Sequence, residues 1–353
     1  MIKSAVGFKW NGIFFALAAA LLFGASTPLS KLLLGSVDPW LLAGILYVSA
    51  GTALLLYQLI RTAAGLPVAE APLRKPDLPW IAAVVLFGGI AGPVLLMLGL
   101  ARTTASSASL LLNLEGIATM AIAWIVFHEN VDRRLLAGAA AIVAGAVLLS
   151  WSGDSVSLDW GSILIAGACL AWGIDNNLTR KLSSANPVQI VIIKGLAAGL
   201  VNIALAVALG ANLPNADIAV AGVIVGLFGI GISLVFFMLG LRHLGTARTG
   251  AYYSLAPFIG VVLSVALLGD AITLPLIVAT VLMGIGLWLH LAERHEHVHV
   301  HDEFEHEHRH VHDDHHDHDH DGKVTEPHTH WHQHKLVRHK HLHYPDLHHR
   351  HRH

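Results

Sequence analysis

Ten long apolar segments dominate the sequence, and each is long enough to cross a lipid bilayer as a helix. A membrane-spanning helix needs about 20 consecutive, mostly apolar residues. Only 13% of the residues are charged, whereas soluble domains usually carry about 25%. The sequence therefore predicts an all-α, multi-pass membrane protein. The ten predicted transmembrane helices are residues 12–34, 39–60, 79–100, 103–127, 134–151, 160–181, 187–210, 217–241, 247–268 and 272–291.

The Lys and Arg residues of the short connections predict the orientation, because cytoplasmic loops retain positive charge. With the N-terminus inside, twelve of these residues fall on the cytoplasmic side, and only Lys31 and Arg102 fall outside. We therefore expect both termini in the cytoplasm of a bacterial-type inner membrane. The first apolar segment is interpreted as a span rather than a cleaved signal peptide, because it continues to Leu34. The net charge of −2 predicts no nucleic-acid partner.

The two halves of the chain resemble each other at a nearly fixed offset. Residues 99–129 align with residues 240–270 at an offset of 141, and both segments end on an acidic residue. Residues 12–31 align with residues 161–180. Because five spans per half is an odd number, the second half enters the membrane from the opposite side. This predicts two inverted five-helix repeats, residues 12–151 and 160–291, with a substrate site between them near the midplane.

Two stretches carry a resemblance to a known family. They are FHENVDRRLLAGAAAIVAGAVLL at 127–149 and SLAPFIGVVLSVALLGDAITLPLIVATVLMGIGLWL at 254–289. Each contains an acidic residue that closes a span, then a short linker and a final helix with glycines. The chain in this respect resembles the EamA-type permeases of the drug/metabolite transporter (DMT) superfamily. The resemblance implies two five-helix bundles around a central cavity, which work by alternating access.

Charged residues inside a span are costly in hydrocarbon and are candidates for function. Glu115 lies twelve residues from either end of the span 103–127, about 18 Å from each end and thus near the midplane. The second repeat has no acidic residue there, since Glu115-Gly116 aligns with Ala256-Pro257. Polar residues on two sides of this helix predict that other helices surround it. Glu115 could bind a substrate or ion, or could hydrogen-bond to a neighbouring helix.

Asp175 and Lys194 are predicted to form an ion pair. They lie about 9 and 10 Å from the same end of consecutive spans, and pairing would neutralise both charges, as burial requires. The pair could be a structural lock, a gate or a direct substrate contact. Asn113, Asn177 and Tyr252 complete the candidate substrate- or ion-binding residues. Each could instead hydrogen-bond between helices.

The end of the chain, residues 292–353, is a His-rich tail that contains almost all of the histidines. Of 26 His, 24 lie in the last 64 residues. The tail lacks the apolar residues for a core and is predicted to be disordered. Mixed imidazoles and carboxylates suit Zn, Ni, Co or Cu, so we expect several exchangeable metal sites. The alternatives are incidental metal binding and pH sensing. The candidate metal ligands are His295, His297, His299, His301, His306, His308, His310, His312, His316, His318 and His320.

These patterns predict a secondary transporter, interpreted as an exporter, of a small metabolite or a divalent metal ion, with a regulatory tail. The alternative is a membrane-bound metal sensor or metal donor that does not transport. No zinc-protease spacing such as His-Glu-x-x-His occurs, so we do not expect an enzyme. No cofactor is required beyond metals bound to the tail. The expected partners are the lipid bilayer and the substrate, and a homodimer is left open.

Overall fold

The computed structural model describes residues 2–65, 73–127, 131–151, 159–182, 186–244 and 246–291, together with 296–301, 304–310, 328–334 and 337–342 of the tail. The chain divides into two units, Met1–Ala292 and Glu293–His353. The described residues of the first unit form helices. They are α1 (Ile2–Leu33), α2 (Pro39–Ala63), α3 (Leu78–Val84), α4 (Gly92–Leu100), α5 (Ala105–Leu111), α6 (Leu114–Phe127), α7 (Arg133–Ser150), α8 (Trp160–Lys181), α9 (Pro187–Ala208), α10 (Ala216–Val225), α11 (Ser233–Leu244), α12 (Thr246–Tyr253), α13 (Ala256–Leu268) and α14 (Leu274–Leu291).

Nine stretches of the described residues are long and apolar enough to span a membrane. The predicted span 160–181 forms α8, a helix of 22 residues, but it is not among the nine. Its run Asp175-Asn176-Asn177 and its basic end lower its hydropathy. The structure thus confirms a helical membrane protein, while ten crossings and the inverted insertion of the two halves stay predictions.

The third span of each half contains a π-helical segment at the same place. The first segment, Val85–Ala91, lies between α3 and α4, and the second, Gly226–Ile232, lies between α10 and α11. They are separated by the offset of 141 residues that relates the two sequences. The first packs on α8 and α9, and the second packs on α1 and α2. Each half therefore contributes an irregular helix to the contact with the other half, as is frequent at functional sites.

The fourth and ninth spans are each broken near their middle, which corrects the prediction of continuous helices. The breaks fall at Leu112–Asn113, between α5 and α6, and at Ser254–Leu255, between α12 and α13. They lie 142 residues apart, within one residue of the offset that relates the two sequences. Discontinuous helices at equivalent positions of two repeats are typical of transporter binding sites.

The helices are packed more closely on one side of the breaks. We call the side that contains Lys31 and Asp270 the Lys31 face, and the opposite side, where α2 and α6 end, the Arg61 face. All residues of α5 except Ser107 are buried, whereas Ala123 alone is buried in α6. The prediction that other helices surround the whole segment 103–127 is therefore right for α5 and wrong for α6. Within this span, the packing is thus closer toward the Lys31 face than toward the Arg61 face.

The tail contains strands at residues that were predicted to be disordered. Strand β1 (Glu296–His301) pairs antiparallel with β4 (Val337–Leu342), and β2 (Phe304–His310) pairs antiparallel with β3 (His328–His334). The physical reason is that His alternates with other residues in these segments, and a period of two is the pattern of a strand. Backbone pairing needs no apolar core, and the disorder of the tail as a whole stays a prediction.

Candidate functional site

A polar run in the C-terminal third of α8 connects the two halves of the bundle. Asp175, Asn176 and Asn177 are consecutive, so the helical period points them to different neighbours. Asp175 contacts Lys194 of α9, while Asn176 and Asn177 both hydrogen-bond to α6. α8 is therefore the element that joins the candidate residues into one site.

The predicted ion pair between Asp175 and Lys194 is present. Lys194 Nζ lies 2.7 Å from Asp175 Oδ2, and the two side chains are 18% and 4% exposed. Thr179 Oγ1 donates a hydrogen bond of 3.4 Å to the other carboxylate oxygen. Because a buried charge without a partner is strongly destabilising, each of the two residues requires the other.

Gly88 of the first π-helical segment makes room for this pair. A Cβ atom added at Gly88 would overlap the Asp175 carboxylate, so position 88 requires glycine. The Gly88 carbonyl accepts hydrogen bonds from the Tyr47 hydroxyl at 3.0 Å and from Trp172 Nε1 at 3.1 Å. The carbonyl and the carboxylate thus fix the π-helical segment against α2 and α8.

The equivalent contact in the other half carries no charge. Gly229 of the second π-helical segment lies where Gly88 lies in the first, and a Cβ added there would be 2.7 Å from Ser26 Cβ. Ser26 aligns with Asp175 at the offset of 149 residues that relates α1 to α8. The two repeats therefore share a packing contact, but only one of them places an ion pair there.

Glu115 lies in the first turn of α6, next to the helix break. Asn176 Nδ2 donates to Glu115 Oε1 at 3.0 Å and to Thr119 Oγ1 at 3.1 Å. Asn177 Nδ2 donates to the Thr119 carbonyl at 3.1 Å. Glu115 is therefore held by an amide rather than by a cation. Among the residues that the structure describes, it takes part in no ion pair, because Lys194 is engaged with Asp175.

Open space adjoins Gly116, the residue that follows Glu115. Asn176 is exposed and Glu115 is partly exposed. A Cβ added at Gly116 would have no atom within 4 Å. Because a carboxylate and an amide avoid lipid and face a cavity or the bundle interior, we interpret this space as accessible to water. Glu115 thus places at the site a carboxyl group that has no cationic partner among the described residues.

The two remaining predicted residues, Asn113 and Tyr252, make contacts other than those that join α6 to α8. Asn113 Nδ2 donates to the Leu110 carbonyl at 2.8 Å and lies 3.8 Å from Met283 Sδ, so it stabilises the helix break. Tyr252 is partly buried in α12, where it is Tyr253 that packs on Phe23 and Phe237. The structure does not place Asn113 or Tyr252 against Glu115.

Four residues of the site were not selected from the sequence: Asn176, Thr119, Tyr47 and Trp172. Asn176 stands between two residues that were selected, and Thr119 is four residues after Glu115, on the same helix face. Their positions were thus available from helical spacing. Tyr47 and Trp172 bind a main-chain carbonyl, and no sequence pattern marks such a partner.

The tail strands place histidines at paired positions of the register. The pairs are His297 with His341, His299 with His339, His306 with His332, His308 with His330, and His310 with His328. Directly opposite residues of an antiparallel pair lie about 5 Å apart. His301 is opposite Val337. The other predicted ligands, His295, His312, His316, His318 and His320, lie outside the described residues.

Exchanging Asp175 and Lys194 tests their pairing. We expect Asp175→Asn and Lys194→Met each to lower the stability of the protein, by about 3 kcal/mol, because each leaves a buried charge unpaired. The double exchange Asp175→Lys with Lys194→Asp should recover much of the stability and of any transport that the single changes lose. Thermal unfolding in detergent and transport by the same variants measure this. A double exchange that is no better than either single change would contradict the pairing.

Comparison with known proteins identifies the family. The model of the EamA-like transporter family matches residues 10–151 and again residues 159–292. An uncharacterized transporter of Methanothermobacter thermautotrophicus is 25% identical over 288 residues, which cover 77% of this chain and 84% of that protein. An uncharacterized inner membrane transporter of Escherichia coli K12 is 25% identical over 275 residues, with coverage of 74% and 84%.

Two further matches bear on activity and fold. A protein of Salmonella typhimurium, named a probable amino-acid metabolite efflux pump, is 25% identical over 201 residues, which cover 53% of this chain and 67% of that protein. A solved crystal structure superposes with a TM-score of 0.58 at 19% identity, over 80% of this chain and 96% of the other, which shows a shared fold. Because the family model covers both halves, the chain belongs to the EamA-like transporter family.

Proposed function

We propose that this membrane transporter exports a small metabolite by alternating access, and that Glu115 is its substrate- or proton-binding group. The observation that supports this most directly is the position of Glu115. It lies in the first turn after a helix break, and the next residue, Gly116, adjoins open space. Its one side-chain partner in the described structure is the uncharged Asn176. The efflux activity printed in the name of the Salmonella relative agrees with export.

The charges of the site suggest how transport could be coupled to protons. An uncompensated carboxylate near the middle of a membrane is most stable when it binds a proton or a positively charged group. If proton and substrate compete for Glu115, substrate release and proton uptake become linked. The Asp175–Lys194 pair is neutral as a unit, so it leaves Glu115 as the group whose charge changes. We assign to that pair the role of a lock between α8, α9 and the first π-helical segment.

A divalent metal ion is a second candidate substrate, and the His-rich tail favours it. The described residues of the bundle favour a metabolite instead, since they contain no group of three or more His, Cys, Asp or Glu that could hold a metal. Divalent first-row metals in proteins usually take three or four such ligands. We therefore propose that the tail binds metal as a cytoplasmic regulator and that the bundle carries a small metabolite.

Replacing Glu115 with Gln tests the role of the carboxylate. The oxygen that accepts from Asn176 is retained in Gln, while the negative charge is removed. We expect Glu115→Gln to reduce transport roughly tenfold to a hundredfold, because the amide cannot replace the carboxylate in binding a proton or a cation, without changing insertion or thermal stability. The transported compound is first identified by growing overexpressing and deletion strains on a panel of metals and amino acids. The amount of each compound inside the cells is measured at the same time.

Thr119→Val is the matched control for this experiment. It removes a hydroxyl that hydrogen-bonds to the same Asn176 amide but leaves every charge in place. It should lower transport much less than Glu115→Gln. Normal transport by Glu115→Gln would remove Glu115 from the mechanism while leaving the family assignment intact.

Deleting residues 295–353 separates transport from metal sensing. For a transporter with a regulatory tail, we expect the truncated protein to retain substrate flux and to lose its response to Zn²⁺, Ni²⁺, Co²⁺ or Cu²⁺. Flux in vesicles with and without each metal is the measurement. If neither the full chain nor the truncated chain transports any compound of the panel, and the deletion abolishes a cellular metal response, the protein is a sensor or donor instead.

A further inference from the structure

Two charged side chains bind the same short turn at the Lys31 face. Lys31 Nζ donates to the carbonyls of Leu100 and Thr103, at 2.6 and 2.8 Å. Asp270 Oδ2 accepts from the backbone N–H of Ser106 at 2.8 Å. These contacts all fall on residues 100–106, which connect α4 to α5. We call them the Lys31–Asp270 clamp.

The clamp joins elements that are far apart in the sequence. Lys31 is at the end of α1, and Asp270 follows α13, while the turn that both bind belongs to the third and fourth spans. α1 and α13 also pack on each other and on α5. The turn cannot move away from α1 and α13 unless all three charge-assisted hydrogen bonds are broken.

The interface beneath the clamp is closely packed. Ser109 of α5 is 1% exposed, and a Cβ added at Gly260 of α13 would lie 2.5 Å from its hydroxyl. The contact between α5 and α13 therefore leaves no room for a further atom at Ser109 when the clamp is formed. This is the closed side of the bundle, and Glu115 lies on the other side of the helix break from it.

Arg102, at the same face, makes an ordinary capping contact with the end of its own helix. Its Nη1 donates to the Leu98 carbonyl at 2.8 Å, within its own segment, and the side chain is exposed. A cation near a helix C-terminus is favourable in any case. Lys31 differs because it caps a helix of another span and is only partly exposed. Its bonds consequently act between helices rather than within one.

We propose that the Lys31–Asp270 clamp is the latch of the gate at the Lys31 face, and that residues 100–106 form the moving part. This inference rests on the proposed alternating access. The gate opens when Lys31 and Asp270 release the turn, which separates α5 from α1 and α13 and exposes Ser109. While the clamp is closed, the site at Glu115 communicates with the Arg61 face alone.

A thiol reporter at Ser109 tests the latch in the full-length chain. The background is Cys169→Ser with Ser109→Cys, which leaves a single thiol, since Cys169 is the only cysteine. We expect Lys31→Met and Asp270→Asn to accelerate alkylation by a membrane-impermeant maleimide added at the Lys31 face by about tenfold. A charge-assisted hydrogen bond contributes about the free energy that corresponds to a factor of ten. Arg102→Met, the matched control, should leave the rate unchanged.

Three outcomes decide the proposal. Faster alkylation in both clamp variants, with unchanged thermal unfolding and with rescue by Lys31→Arg, supports the latch. Equal rates in the Cys169→Ser, Ser109→Cys background, in both clamp variants and in the Arg102 control overturn it, even if the protein transports. If Lys31→Met fails to fold, Asp270→Asn decides alone, and an unchanged rate there also overturns the latch. Substrate flux measured in the same vesicles reports separately on the proposed function.

Discussion

The ion pair of Asp175 and Lys194 is the contact on which the central site depends. Two opposite charges in a largely apolar bundle are stable only when they meet, so the pair fixes α8 against α9. The Asp175 carboxylate also occupies the space that a side chain at position 88 would fill. The first π-helical segment is thereby held against α8, with its Gly88 carbonyl bound by Tyr47 and Trp172. The direction of the next two residues, Asn176 and Asn177, toward α6 follows from that placement.

The two repeats share a scaffold but differ in charge. Equivalent π-helical segments and equivalent helix breaks occur in both halves, and Gly88 and Gly229 make equivalent contacts. Asp175, however, has only Ser26 as its counterpart, and Glu115 has only Ala256. A common framework thus provides two possible openings, while one repeat contributes Glu115 and the other contributes Asp175, Asn176 and Lys194. Because the packing is close around α5 and open at Gly116, the two faces of the bundle are not equivalent in this structure.

The sequence predicted the helices and the ion pair because both depend on local or periodic information, while a functional role of Glu115 stays a prediction. Apolar length identifies spans, and equal depth on consecutive helices predicted that Asp175 meets Lys194. The sequence did not predict the helix breaks or the π-helical segments, since these depend on packing across the two halves. The contacts of Lys31 with Leu100 and Thr103 were also not predicted. Every residue has a main-chain carbonyl, so the sequence does not mark which one accepts a hydrogen bond.

The central claim is that the space beside Glu115 is open to water from the Arg61 face and closed from the Lys31 face. A thiol at Gly116 tests it directly, since a side chain added there meets no atom within 4 Å. In a Cys169→Ser, Gly116→Cys chain, an impermeant maleimide should react when added at the Arg61 face and should react far more slowly at the Lys31 face. Reaction only from the Lys31 face, or from neither face, would contradict this account of the site.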